Sequence, residues 1–408
     1  MTTIARGAVR TSERALAPDL ARGFALLFIA LANAPYYLWG AQETGMTSAH
    51  PKDAGLLDSV VQAVTIVVID GRTYPLFAFL FGYGIVQLHR RQLEAGTDER
   101  AARRLLQRRN LWLIAFGLVH AALLWMGDVL GAYGLAGLVF VGLFLLRRDR
   151  TLLVWAGILT GLLAFFAASS IVGGWAMSGL DLEDVVVGPS LTATQGEPNY
   201  LAAMAQRVGF WILLVFGQGL LSLVVPVMIL LAFWAARRGI LERPLEHARL
   251  LRGVAIAGIA IGWLGGVPGM LVHVGAIDVP DHASWLFAGL SSLTGAAAGL
   301  GYAALFGLLG GAIARRRAAR QDPPRLGFTG AVVAVGRRSL SCYLLQSVLC
   351  APVLAAWGLG LGARFGSAEM ALFAAAVWAA TVLFAAVCES RGWRGPAETL
   401  LRRLVYRR

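Results

Sequence analysis

Apolar runs of about 20 residues recur along the whole chain, and short polar segments rich in arginine separate them. Each run is long enough, as a helix, to cross a hydrocarbon layer roughly 30 Å thick. The pattern therefore predicts an all-α, polytopic membrane protein with about ten transmembrane helices. The predicted spans lie near residues 22–40, 73–91, 105–126, 128–146, 151–173, 208–236, 250–273, 285–313, 332–357 and 368–390.

The spans fall into two membrane halves with a loop between them. The predicted segments are a cytoplasmic N-terminal segment (1–21), an N-terminal membrane half with spans 1–5 (22–173), an acidic outer loop (174–207), a C-terminal membrane half with spans 6–10 (208–390) and a basic cytoplasmic tail (391–408). A further apolar stretch at 56–70 reaches only about 21 Å as a helix, so we expect it to lie at the outer membrane interface.

Composition and charge agree with this class of protein. Apolar residues make up 58% of the chain and charged residues 14%, against roughly 25% charged in soluble domains, which excludes a water-soluble enzyme. The net charge is +13. In the predicted topology, all Lys and Arg residues lie on the same side of the membrane as the N-terminus, except Lys52, Arg72, Arg207 and Arg364. Because basic loops stay inside, we predict a bacterial inner-membrane protein with both termini cytoplasmic. Membrane lipids, rather than nucleic acid, are the expected partners of the basic residues.

The cysteines give no sign of a metal site or of a disulfide framework. Cys342, Cys350 and Cys388 have no metal-ligand spacing, and all three lie in apolar runs, where free cysteine behaves as a small hydrophobe. We therefore predict no metal and no bound cofactor.

Polar side chains at membrane depth are costly, so they are default functional candidates. Those of the first four spans are Arg22, Asn33, Asp70, Arg72, Arg109, His120, Asp128 and Tyr133. We expect them to converge on one internal chamber. In this hypothesis His120 is a general base that Asp128 orients. The alternatives are a packing histidine and a helix cap, because the hairpin geometry leaves about 8–10 Å between the two side chains unless the helix end bends inward.

The arginines suggest an anionic ligand. Arg72 lies on the outer side against the charge rule, so it needs a partner such as Asp70, Asp128 or an anion. Arg22 and Arg109 lie near the cytoplasmic side, where lipid headgroups or the phosphates of an acyl-CoA donor would bind them.

Several motifs resemble those of a known family. They are Asp-Leu-Ala-Arg-Gly at 19–23, the aromatic segment at 75–84, Gly-Leu-Val-His at 117–120, Gly-Asp-Val-Leu-Gly-Ala-Tyr at 127–133, Gly-Arg-Arg-Ser-Leu at 336–340 with its continuation to 347, and Gly-Pro-Ala-Glu at 395–398. Together they resemble the YeiB family of bacterial membrane proteins (domain of unknown function 418) over nearly the whole chain. The resemblance implies the architecture more than an activity.

The Asp-x-x-Arg-Gly start and the Pro-x-Phe-x-Phe segment are also distantly similar to transmembrane acyltransferases such as heparan-glucosaminide N-acetyltransferase. That similarity implies a histidine that acts on acyl-CoA delivered from the cytoplasm, for which His50 is the rival of His120. The leading hypothesis is transfer of an acyl group from cytoplasmic acyl-CoA, as donor substrate, to a glycan, lipid or secondary metabolite. In this scheme Arg22 and Arg109 attract the donor phosphates, and Arg72 and Tyr133 contact the oxyanion or the acceptor.

Two other classes of function stay open. A transporter or exporter of a small amphipathic metabolite would use the same polar residues as a substrate site. A non-catalytic scaffold or immunity protein would use them to join helices. The oligomeric state is open as well.

Overall fold

A computed structural model of the chain describes residues 16–41, 48–52, 54–180, 191–320 and 327–406. These residues form an all-helical bundle. The predicted segments 1–21, 174–207 and 391–408 lie partly outside the described residues. The helices are α1 (Leu16–Asn33), α2 (Leu56–Val68), α3 (Thr73–Glu94), α4 (Glu99–Leu123), α5 (Val129–Leu143), α6 (Asp149–Ser178), α7 (Ala193–Gly196), α8 (Tyr200–Phe216), α9 (Val224–Arg237), α10 (Ala248–His273), α11 (Ala288–Arg320), α12 (Phe328–Arg337), α13 (Ser339–Leu354), α14 (Ser367–Ser390) and α15 (Pro396–Tyr406).

Seven helical segments of the described chain are long and apolar enough to cross a membrane. They correspond to seven of the ten predicted spans. The other three predicted spans correspond to α4, whose first half is basic, to the shorter α5, and to the pair α12 and α13. The helix predicted at 56–70 is α2. The chain is therefore a multi-pass membrane protein, as its apolar pattern indicates.

Two predicted spans are broken in the structure. The span at 208–236 is divided between α8 and α9 by a π-helical turn at Gly217–Leu221 and by Leu223, whose φ is 60°. Pro226 follows at the start of α9, and because proline lacks an N–H, it cannot continue the hydrogen bonds of α8. The span at 332–357 is divided at Arg338, so that α12 and α13 are separate helices.

Helix α12 packs tightly against α1 and runs antiparallel to it. The rings of Phe328 and Phe24 meet edge to face at one end of the contact, whereas Gly336 lies against the backbone of Asp19 at the other. A side chain at Gly336 would overlap the Asp19 carbonyl oxygen. Small residues of this kind allow membrane helices to approach closely.

The two ends of the bundle differ in chemistry. At one, the basic end, Arg103 donates to the Gly142 carbonyl, and Arg237 donates to the Arg147 carbonyl and to Asp149. At the other, the cavity end, the segments after α1, α4 and α10 meet. Arg103, Arg147 and Arg237 thus lie at the basic end.

Candidate functional site

A cavity of about 820 Å³ lies at the cavity end of the bundle. Its walls come from α1, α2, α3, α5, α8, α10, α11 and α13, together with segments that include 48–52, 125–127 and 274–287. Five of the nine residues singled out from the sequence line it: Asn33, His50, Asp70, Arg72 and Tyr133. This volume lies within the range of roughly 300–1,000 Å³ that small-molecule sites occupy.

His50 and Asp70 form the central pair of the cavity wall. The Nε2 atom of His50 lies 2.7 Å from Asp70 Oδ2, and only 3% of His50 is exposed. Asp70 lies in the turn that joins α2 to α3, where Gly71 has a φ of 71°. The backbone N–H of His50 donates to Ser48 Oγ. The Nδ1 atom of His50 has no hydrogen-bond partner among the described residues, so the pair leaves one imidazole nitrogen unused.

Arg72 is a buried cation on the same wall. Its guanidinium donates to Ser291 Oγ at 3.1 Å, to the Gly262 carbonyl at 2.9 Å and to the Asp70 carbonyl. Within the part of the chain that the structure describes, no carboxylate forms an ion pair with it. Two carbonyl oxygens and one hydroxyl oxygen therefore hold the Arg72 guanidinium in place.

A second histidine, which was not among the predicted site residues, also lines the cavity. The ring of His273, at the end of α10, lies 5.6 Å from the ring of His50. Its Nε2 atom is 2.9 Å from Gln62 Oε1, and Gln62 donates to Ser367 Oγ at 2.8 Å. The sequence offers one signal that could have identified this residue. His273 and Asp70 both lie at ends of predicted spans that face the same side of the membrane.

His120 and Asp128 form a second, separate pair. His120 Nδ1 lies 2.8 Å from Asp128 Oδ1, so the expected gap of about 8–10 Å is wrong. The chain turns immediately after α4, since Trp125 N donates to the His120 carbonyl, and Gly117 leaves room for the carboxylate. The bend that would bring the two side chains together is therefore built into this hairpin.

Asp128 satisfies three donors in this buried position. Its carboxylate also accepts hydrogen bonds from Gly131 N at 2.9 Å, as a helix cap, and from Trp211 Nε1 at 3.1 Å. Neither His120 nor Asp128 lines the cavity. The connection between them and the cavity is Tyr343, whose ring is 5.1 Å from that of His120 and which lines the wall.

The last two predicted residues lie nearer the basic end. Arg22 donates to Asp19 at 3.1 Å and to the Leu80 carbonyl at 3.2 Å, and Arg109 lies over the ring of Phe81, 5.5 Å from its centre. Neither lines the cavity. The ring of Phe81 stacks on Tyr133, 5.6 Å away, so an aromatic pair separates Arg109 from the cavity wall. The expected single chamber is thus wrong: the predicted residues form a cavity group, a buried pair and an arginine group.

Comparison with known proteins gives the family. Residues 235–408 match the family model described as a protein of unknown function (DUF418). The chain is 27% identical over 426 residues to the uncharacterized protein YeiB of Escherichia coli (strain K12), an alignment that covers 97% of each chain. The chain belongs to the YeiB-like DUF418 family.

Two further relatives extend the comparison. The uncharacterized protein YxaH of Bacillus subtilis (strain 168) is 26% identical over 412 residues, which cover 97% of this chain and 95% of YxaH. An uncharacterized 39.9 kDa protein from the amylase 3′ region of Bacillus acidopullulyticus is 30% identical over 144 residues, 35% of this chain and 38% of that protein. The similarity to YeiB and YxaH therefore extends over nearly the whole chain, whereas the family model matches residues 235–408, and the names of these relatives state no activity.

Proposed function

We propose that this DUF418 protein is an inner-membrane acyltransferase that moves an acyl group from cytoplasmic acyl-CoA to a hydroxyl or amine bound in the cavity. In this proposal the chain crosses the membrane ten times, the basic end faces the cytoplasm, as do both termini, and the cavity opens outward. The acceptor is a glycan, a lipid or a secondary metabolite. The observation that carries the proposal is the His50–Asp70 pair in a cavity of ligand size.

The pair has the geometry of a general base with its orienting carboxylate. When His50 donates from Nε2 to Asp70, the lone pair of Nδ1 is free to accept the proton of an acceptor hydroxyl. The acceptor oxygen attacks the thioester carbonyl carbon, the C–S bond breaks, and the leaving CoA thiolate takes the proton back from His50. Arg72 supplies positive charge beside the developing oxyanion. His50 therefore takes the role that the sequence suggested for His120.

The donor binds from the opposite end in this proposal. Arg22 and Arg109 attract the CoA phosphates, since guanidinium groups bind phosphate strongly. Ile29 is on the cavity wall and lies seven residues after Arg22 on α1. The acyl arm then has to cross about 10 Å, at 1.5 Å per residue, to arrive at the cavity. Phe81 and Tyr133 line the region between the two groups.

A transporter of a small amphipathic metabolite is the second candidate, and the break between α8 and α9 favours it. Interrupted membrane helices often form the substrate sites of transporters, and Gln218, within the π-helical turn, lines the cavity. In that case the cavity would bind its ligand without any thioester chemistry.

One measurement distinguishes the acyltransferase from the transporter. Purified protein in nanodiscs is incubated with labelled acetyl-CoA, and the release of CoA thiol and the transfer of label are followed. We expect turnover by the wild type, a loss of at least about 100-fold in Asp70→Asn, and normal turnover in His282→Ala, whose histidine does not line the cavity. No thiol release by the wild type would overturn the acyltransferase proposal and leave the transporter.

A further inference from the structure

The cavity is polar on one wall and apolar on another. His50, Asp70 and Arg72 form the polar wall, whereas Phe210 and Leu214 of α8 contribute to the apolar wall. These two apolar residues lie about 15 and 21 Å along α8 from its first residue, at 1.5 Å per residue. In a helix that enters the membrane at its first residue, positions at this distance lie among the lipid acyl chains.

This apolar wall borders the membrane-facing surface of the bundle. Leu213, the neighbour of Leu214, is 73% exposed, and Phe216 is 54% exposed. Helix α8 packs on α4 and α5, whereas α11 packs on α10, α6, α1 and α3. Among the described residues, no side chain of α6 lines the cavity between them, and Ala288 at the start of α11 is exposed. Leu214 of α8 and Ala288 of α11 thus both line the cavity, and neither residue is fully buried.

In the part of the chain that is described, one cation of the cavity lining has no carboxylate bonded to it, although the exposed Asp278 also lines the cavity. The Asp70 carboxylate binds His50, and Lys52 is paired with Asp281 at 2.7 Å. Arg72 donates to carbonyl and hydroxyl oxygens, and its Nε atom has no partner within the described part of the chain. A buried guanidinium that lacks a carboxylate partner is costly, so an anionic group beside it is favourable.

We propose that the cavity binds an anionic phospholipid of the adjacent leaflet, with its headgroup at Arg72 and His50 and its acyl chain leaving between α8 and α11. The volume of about 820 Å³ accommodates a headgroup and the first part of a chain, and the rest of the chain lies in the membrane. The role of this lipid as acyl acceptor rests on the proposed function: a headgroup hydroxyl gives its proton to His50 and gains the acyl group.

Photo-crosslinking tests this site directly. The full-length protein is placed in nanodiscs that contain phosphatidylglycerol with a diazirine in its acyl chain, and labelled peptides are identified after illumination. We expect labelling of α8 around Leu214 and of the first turns of α11. The substitution Leu214→Trp fills the space between α8 and α11 and lowers this labelling at least about tenfold, whereas the matched control Leu213→Trp, on the membrane-facing side of α8, changes it less than about twofold.

Two results would overturn the proposal. Equal labelling in Leu214→Trp and Leu213→Trp would mean that the lipid contacts only the outer surface of α8. Equal labelling by a phosphatidylcholine probe of the same chain would contradict an anionic headgroup at Arg72. Thioester turnover with a soluble amine acceptor is measured in the same nanodiscs. Labelling without turnover supports the lipid site and removes the proposed catalysis, whereas turnover without labelling overturns the lipid site and leaves the catalysis.

Discussion

Removal of the Asp128 carboxylate should damage the fold rather than the chemistry. Asp128 is fully buried and accepts hydrogen bonds from His120, from Trp211 and from the backbone of Gly131. Replacement by alanine removes a helix cap, which costs about 1 kcal/mol, and leaves two buried side-chain donors without a partner, at about 1–3 kcal/mol each. Because contributions that share one carboxylate are not additive, we expect Asp128→Ala to lower the free energy of unfolding by about 3–5 kcal/mol.

The assay is equilibrium unfolding in mixed detergent micelles, followed by circular dichroism, together with turnover per folded molecule. His50→Ala is the comparison variant, since it removes the imidazole of the other histidine–carboxylate pair. We expect His50→Ala to unfold within about 1 kcal/mol of the wild type, because the side chain lies in a loop at a cavity wall. An Asp128→Ala variant as stable as the wild type, with lost turnover, would refute this division between a structural pair and a reactive pair.

Three further substitutions test the packing. Arg207→Lys should lower the free energy of unfolding by about 2 kcal/mol in the same assay. The guanidinium of Arg207 donates to two carbonyls at the end of α4, and a lysine ammonium does not reproduce this two-pronged geometry. An unchanged free energy of unfolding would contradict this. Gly336→Ala should destabilise the protein by about 1–3 kcal/mol through overlap with Asp19. The control Gly253→Ala, at a glycine with open space around it, should be neutral or stabilising. Equal effects of the two variants would contradict a tight contact between α1 and α12. Glu398→Ala should release α15 from the start of α13 and speed tryptic cleavage in the tail, and an unchanged cleavage rate would argue against that anchor.

The helices follow from the sequence largely because apolar length and local caps determine them. Asn199 accepts hydrogen bonds from the two N–H groups that start α8, and Asp98 does the same for α4. The two broken spans were not predicted, since window counting measures apolar content and not continuity. Pro226 is a proline and Arg338 a charged residue within predicted apolar spans. Whether such a residue kinks a span or divides it depends on the helices packed around it.

The site was predicted in its residue types and not in its grouping. Asp70 and Arg72, which were singled out by their cost at membrane depth, line the cavity, whereas Arg109 carries the same cost and packs on Phe81 instead. The contact of His50 with Asp70 joins a loop to a turn 20 residues later, and such a contact has no helical period that could predict it. The close pair of His120 and Asp128 depends on how sharply one hairpin turns.

The central claim is that the pair in the cavity reacts and the buried pair does not, and rates of CoA thiol release by His50→Ala and His120→Ala measure it most directly. Both variants are compared with the wild type in nanodiscs, per folded molecule. The account predicts a fall of at least about 100-fold in His50→Ala and less than about threefold in His120→Ala. The opposite order, with His120→Ala inactive and His50→Ala close to wild type, would contradict it.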